Sequence, residues 1–178
     1  SSKVKKLYFD FSSPDYEGRG VYRSSKLSMK KLPDGPYTLS YYAIDNVENK
    51  EETKNIDFYL DRTPPAFDAD IIGDQHVKGD RIYVSQRSKV NITAKDEQVG
   101  VKKIIWKYKK GRYRNFGESF SLPKVLGKHE ITYKAVDELN NWTRTKKIAL
   151  ILDLLPPFVE QKFQGPYIPV FEKIFISK

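Results

Sequence analysis

The chain has 178 residues, 39% hydrophobic and 31% charged, with ten Gly and ten Pro, a balance that suits a folded protein rather than a disordered one. Lys and Arg outnumber Asp and Glu by 32 to 23, and the formal charge of +9 attracts acidic glycans, anionic membranes or nucleic acid without choosing among them. The lack of Cys excludes disulfides, thiol catalysis and cysteine-bound zinc, and no run of 18 apolar residues supplies a membrane-spanning helix.

The first apolar stretch, VKKLYFDF at 4–11, puts Leu7, Phe9 and Phe11 on one strand face, because successive strand side chains point to opposite sides. Next, GPYTLSYYAID alternates Leu39, Tyr41 and Ala43, expected inward, with Ser40, Tyr42 and Ile44, and a third stretch aligns Ile56, Phe58 and Leu60. Beyond the linker Asp61-Arg62-Thr63-Pro64-Pro65 the pattern returns. An offset of 97 carries VKKLYFDF onto VKKIIWKY at 101–108, so that Ile104, Trp106 and Tyr108 replace Leu7, Phe9 and Phe11. An offset of 92 carries Gly35, Tyr41, Ala43, Asp45, Asn49, Asp61, Pro64 and Pro65 onto Gly127, Tyr133, Ala135, Asp137, Asn141, Asp153, Pro156 and Pro157. The difference between the offsets places about five extra residues after the first strand of the first copy. The offset of 92 also carries Gly73 onto Gly165 and IYVS at 82–85 onto IFIS at 174–177.

Self-similarity at this period predicts an array: an incomplete repeat over 1–63 containing later strands only, a complete repeat over 64–154, and the start of a third over 155–178. Short alternating strands separated by Gly, Pro, Asn and Asp predict an all-β fold of tandem immunoglobulin-like β-sandwiches. No segment carries helical periodicity with caps. The diprolines fix their own φ and extend the residue before them, which predicts stiff joints. The expectation for the ends is a segment of a longer array. The alternative is head-to-tail self-association, in which the tail PVFEKIFISK fills the first-strand position of another molecule's amino-terminal sandwich and builds a filament.

The segments GPYTLSYYAIDNVENKE with FYLDRTPP, and GKHEITYKAVDELNNWT with LILDLLPP, resemble bacterial immunoglobulin-like surface repeats of the type found in leptospiral and other bacterial outer-surface proteins. Where that family's pattern has Gly before the Asn, this sequence has Glu48 and Asn140. The resemblance spans nearly the whole chain and implies β-sandwiches used as stalk, spacer or adhesin modules at a bacterial surface or outside the cell. It names no ligand.

Asp45 and Asp137 each end a strand where the chain reverses, with Asn49 and Asn141 four places later. Asp accepts backbone N–H bonds two residues on and Asn tolerates turn conformations, so the motif is read as turn-forming, with no metal and no cofactor assigned. Calcium is the lesser reading for Asp45, Asn49, Asp137 and Asn141, and needs further oxygens from Glu138, Asp61 or Asp153. Tyr41 and Tyr133 resemble the tyrosine corner of Greek-key sandwiches. Trp106 shares its face with Ile104 and Tyr108 and is expected in the core.

The most biased stretch is KKIIWKYKKGRYR at 102–114, seven Lys or Arg and no acid. Lys103, Lys107, Lys109, Lys110, Arg112 and Arg114 are the candidate contacts for an acidic ligand, with Tyr113 and Phe116 nearby. Exposed Lys on a strand also simply prevents edge-to-edge pairing. The first copy carries Asp10, Asp15 and Glu17 in the matching region, so the charge is not a property of the repeat. Catalysis finds little support: His76 and His129 have no repeated Ser or Asp partners, and no glycine-rich phosphate loop appears. The expectation is therefore a non-enzymatic stalk, adhesin or structural module meeting another protein or an acidic glycan at a surface, with nucleic acid the weaker choice. A glycan-binding accessory module of a secreted enzyme is the alternative.

Overall fold

The computed structural model describes residues 3–14, 16–22, 28–160, 162, 167–170 and 173–176, with the backbone alone at 16, 21, 22, 167–170 and 173–176. Asp15, Gly165 and Ser177 lie outside the described residues. Every regular element among the described residues is a strand.

Phe9 and Phe11 need an apolar face behind them, and they obtain it by pairing. Strand β1 (Val4–Ser13) pairs antiparallel with β2 (Tyr16–Tyr22) on one side and β3 (Gly35–Asp45) on the other, and β3 pairs with β4 (Lys54–Leu60). The order is β2-β1-β3-β4. β2 spans seven residues, where the second copy has a strand of two, Arg114–Asn115. There Phe9 stands opposite Gly20, and a Cβ on that glycine would meet the ring at 2.6 Å. Phe11, Leu32 and Tyr37 are buried, with Phe9, Met29, Leu39, Phe58 and Leu60 packed around them.

The second unit has two layers. Strands β5 (Ala66–Ile72), β8 (Lys89–Lys95) and β11 (Phe120–Ser121) form one sheet, ordered β11-β8-β5. The other contains β6 (Gln75–Lys78), β7 (Arg81–Val84), β9 (Val101–Tyr108), β10 (Arg114–Asn115), β12 (Gly127–Asp137) and β13 (Lys146–Leu152), ordered β10-β9-β12-β13-β7-β6. All neighbours are antiparallel except β7 and β13, which run parallel with Leu150 opposite Ile82. Val90 and Ile92 from the small sheet close on Ile131, Tyr133, Leu150 and Leu152 from the large one. Ile131, Leu150 and Leu152 have no exposed surface, and each such burial contributes about 1.5–3 kcal/mol. The fold is thus an all-β, immunoglobulin-like sandwich.

The two units share register and not only sequence. Leu7, Phe9 and Phe11 stand opposite Ala43, Tyr41 and Leu39, while Ile104, Trp106 and Tyr108 stand opposite Ala135, Tyr133 and Ile131. Both pairings break at the same place, between Val4 and Lys6 in one unit and against the Val136–Asp137 step in the other. Strands β14 (Tyr167–Val170) and β15 (Lys173–Ile176) pair Tyr167 with Ile176 and Val170 with Lys173, matching Gln75 with Val84 and Lys78 with Arg81 in β6 and β7.

Alternation holds on β12, where Ile131, Tyr133 and Ala135 are buried, yet Thr132 and Val136 on the opposite face are buried too. A bridge sets Trp142 against Val136, and Lys107 and Lys147 flank Thr132 across the ladder, so the outer face is covered by its own long side chains. Glu48 and Asn140 both adopt φ 68°. The left-handed turn therefore survives without glycine, at a conformational cost greater for Glu than for Asn.

Candidate functional site

The outer face of β9 and β12 collects cations around two exposed rings. Trp142 is 42% and Tyr113 is 41% exposed. The Lys134 ammonium lies 4.2 Å from the centre of the Trp142 ring and 5.5 Å from that of Tyr113. Lys103 approaches Trp142 at 5.8 Å, and Lys107 approaches Tyr113 at 4.9 Å. Ring faces attract cations through their quadrupole, so the aromatic pair spaces the three ammonium groups without neutralising them. Among the described residues none of the three forms an ion pair. The period-two pattern sets this face, since Lys103 and Lys107 alternate with Ile104 and Trp106 while Lys134 alternates with Tyr133 and Ala135.

The six cations singled out in the sequence divide three ways. Lys103 and Lys107 belong to the outer face. Lys109, Lys110 and Arg112 sit in and beside the turn after β9, where Lys109 has φ 47° and its ammonium lies 5.1 Å from the Tyr108 ring centre. Arg114 stands opposite Trp106, with its guanidinium 5.0 Å from the indole centre. Trp106 itself packs on the core and stacks on Phe120 at 3.6 Å. Arg114 is thus turned to the inner side and does not join the lysines. Phe116 also packs toward the core. Lys134 and Trp142 complete the face, and both lie far along the chain from the basic run. Their signal in the sequence is the outward alternation of the strand that carries Lys134.

A second cluster lies at the joint between the units. Asp45 accepts the backbone N–H of Val47 and of Asn49 on Oδ1, each at 2.9 Å, and the Asn49 amide on Oδ2 at 3.0 Å. Asp137 repeats the arrangement, with the Asn141 backbone N–H on Oδ1 and its side-chain amide on Oδ2, both at 2.7 Å. In the second unit the same amide also donates to the Asp61 carbonyl at 3.2 Å, tying the linker to the turn. Both Asn residues therefore present nitrogen, not oxygen, to the carboxylate. Asp61, Asp96 and Asp137 each bring a carboxylate oxygen within 4.8 Å of the others. Asp61 and Asp137 are buried. At an effective dielectric constant of about 20, two like charges at that separation repel by roughly 3 kcal/mol. Asp96 accepts N–H groups from Val99, Gly100 and Gln98, all on Oδ1, and these hold its carboxyl below the usual range. Sequence reading named Asp61 as a neighbour but missed Asp96, which lies just ahead of the repeated stretch at 101–108.

Two structural roles fall on residues other than those expected. Tyr133 does not form the tyrosine corner; its hydroxyl crosses to the other sheet and donates to Asp68 Oδ1 at 3.2 Å. Burial and that bond push its pKa up to about 12. The corner belongs to Tyr37, whose hydroxyl donates to the Pro33 carbonyl at 2.9 Å. In the second unit His129 takes this position, with Nε2 at 2.6 Å from the Val125 carbonyl and Nδ1 at 2.8 Å from the Tyr108 hydroxyl. A carbonyl only accepts, so Nε2 carries the proton and Nδ1 in the neutral ring accepts from Tyr108. His76 lies on β6 with its ring tilted toward Tyr83 at 6.5 Å.

No helix among the described residues is long and apolar enough to cross a membrane. No family model and no curated protein matches the sequence. Among solved structures, the chain is similar to one described as fibronectin(III)-like modules of Clostridium thermocellum CbhA. That similarity has a TM-score of 0.39 and 13% identity over 90% of this chain and 85% of the other.

Proposed function

We propose that this chain is a non-enzymatic segment of tandem immunoglobulin-like repeats from a bacterial surface or extracellular protein, in which the second repeat presents a polyanion-binding face. The division into units at 1–63, 64–154 and 155–178 is supported by pairing registers that recur at the sequence offsets. The spacer role draws on the short Asp-x-x-Pro-Pro joint. The observation that carries the binding role is the unpaired set Lys103, Lys107 and Lys134 around Trp142 and Tyr113.

The chemistry favours a sulfated or carboxylated glycan. Fixed ammonium groups attract sulfate or carboxylate, and an exposed indole offers a flat apolar surface for a sugar ring. In the first unit Asp10 stands where the second has Lys107, and it pairs with Arg19. The test is retention of the chain on heparin and on polyuronate, at low and at physiological salt, beside a Lys103→Gln, Lys107→Gln, Lys134→Gln triple variant. The wild type binds at low salt and weakens as salt screens the charges, while the folded variant loses binding at least ten-fold. Equal retention of both proteins overturns the proposal.

A further inference from the structure

We infer that Asp61, Asp96 and Asp137 form a calcium site that joins the linker of one unit to a loop and the end of β12 in the next. Three carboxylates converge within 4.8 Å, yet among the described residues none of them forms an ion pair with Lys or Arg. The cations adjacent in sequence are engaged elsewhere: Lys95 pairs with Glu97 at 2.7 Å, and Arg62 is turned back to the first unit, where its Nε donates to Asp34 Oδ1 at 2.9 Å and its Nη1 to the Lys30 carbonyl at 3.2 Å. Independently, Asp61 Oδ2 is buried and has no hydrogen-bond donor, in a residue only 5% exposed. A buried, unpartnered carboxylate oxygen beside two further carboxylates is a costly arrangement unless a cation balances it.

Asp61 and Asp96 each keep one carboxylate oxygen clear of protein donors for such an ion. Asp61 Oδ1 takes the Thr63 N–H at 2.9 Å and leaves Oδ2. Asp96 takes all three of its N–H bonds on Oδ1 and leaves Oδ2. Asp137 is held by Asn141, whose amide also grips the Asp61 carbonyl, so Asn141 positions two of the three acids and ligates nothing. The all-oxygen set suits a hard cation. Calcium binds oxygen at roughly 2.3–2.6 Å, so two ligands on one ion can stand about 5 Å apart, whereas magnesium at about 2.0–2.1 Å limits them to about 4 Å. Water completes the coordination. The same linker turn recurs at Asp153, whose Oδ1 accepts the Leu155 N–H at 3.0 Å, but Asp153 belongs to no such cluster among the described residues. Asp153 is therefore the internal control.

The inference is independent of the glycan reading, because the cluster and the lysine face share no residue. The experiment is calorimetric titration of the chelator-treated full chain with calcium chloride and with magnesium chloride, beside melting curves in each. Wild type should bind one calcium with a Kd on the order of 10⁻⁴–10⁻³ M, the range of extracellular modules, and melt roughly 5–10 °C higher at saturation. Magnesium should bind at least ten-fold more weakly. Asp61→Asn and Asp96→Asn should each weaken calcium at least ten-fold, while Asp153→Asn leaves it unchanged. In chelator Asp61→Asn should melt at or above wild type because one like charge is gone, which separates loss of binding from loss of folding. No calcium heat with wild type at millimolar concentration overturns the inference. So does equal binding by wild type and Asp61→Asn.

Discussion

His129 is the most demanding position in the second unit, and replacing it tests whether the corner has been read correctly. Its ring is 1% exposed and is bonded on both sides, to the Val125 carbonyl and the Tyr108 hydroxyl. His129→Leu keeps similar bulk but removes both bonds. A neutral bond contributes about 1 kcal/mol, and a partner left dry costs about 1–3 kcal/mol; Tyr108 is only half-buried and can reach water, so we expect a total loss near 2–3 kcal/mol. Equilibrium urea unfolding should show a lower midpoint at an unchanged slope. The first unit supplies the compensating change, because there Tyr37 stands where His129 stands and Phe11 where Tyr108 stands. Tyr108→Phe with His129→Tyr should therefore recover at least half of the loss, by letting the new hydroxyl reach Val125 as Tyr37 reaches Pro33. A loss below about 0.5 kcal/mol in the single variant, or a double variant no better than the sum of its parts, would refute the reasoning.

Glu48→Gly should raise the stability of the first unit by about 0.5–1 kcal/mol, since Glu48 sits at φ 68° and its exposed ion pair with Lys5 contributes little; thermal melting reads the sign. In chelator, Asp137→Ala should cost about 1–3 kcal/mol through its two buried bonds, and Asp45→Ala clearly less because its turn is exposed, as denaturant titration would report. Acid should destabilise the fold in a defined window. The Asp34 carboxyl is held below its ordinary 3.8, first by the Arg62 backbone N–H, so its stabilisation is complete above pH 3.8 and lost as pH falls through the folded value. Asp34→Asn should flatten that decline in melting temperature against pH.

Strand identity was legible in the sequence because burial on one face imposes a period of two, and the repeat let one unit check the other. Hence Phe9 and Trp106, and Tyr41 and Tyr133, meet in equivalent registers. Local alternation does not report which hydroxyl meets which carbonyl, and this is why the corner was expected at Tyr41 and Tyr133 instead of Tyr37 and His129. A tyrosine and a histidine at equivalent positions look unrelated until both are seen to reach a carbonyl four residues upstream. The basic run is visible as composition, and alternation turns Lys103, Lys107 and Lys109 outward together; the structure keeps the first two there but places Lys109 in the turn after β9, with its ammonium over Tyr108. A strand sends neighbouring side chains to opposite faces, so the run is split and Lys134 arrives from the adjacent strand. The joint was the least visible, because Asp61, Asp96 and Asp137 come from a linker, a loop and a strand end whose convergence depends on how the units meet.

The two tryptophans offer the most direct measurement of the binding claim, because they mark opposite faces of the same sheet: Trp106 stacks on Phe120 toward the core, and Trp142 lies exposed beside Lys103 and Lys134. Their indole N–H signals can be followed by NMR while the chain is titrated with a sulfated oligosaccharide at low salt. The account predicts that the Trp142 signal shifts with saturation, reverses on adding salt, and leaves Trp106 in place. Saturable binding that leaves Trp142 unmoved, or that shifts Trp106 alone, would contradict it.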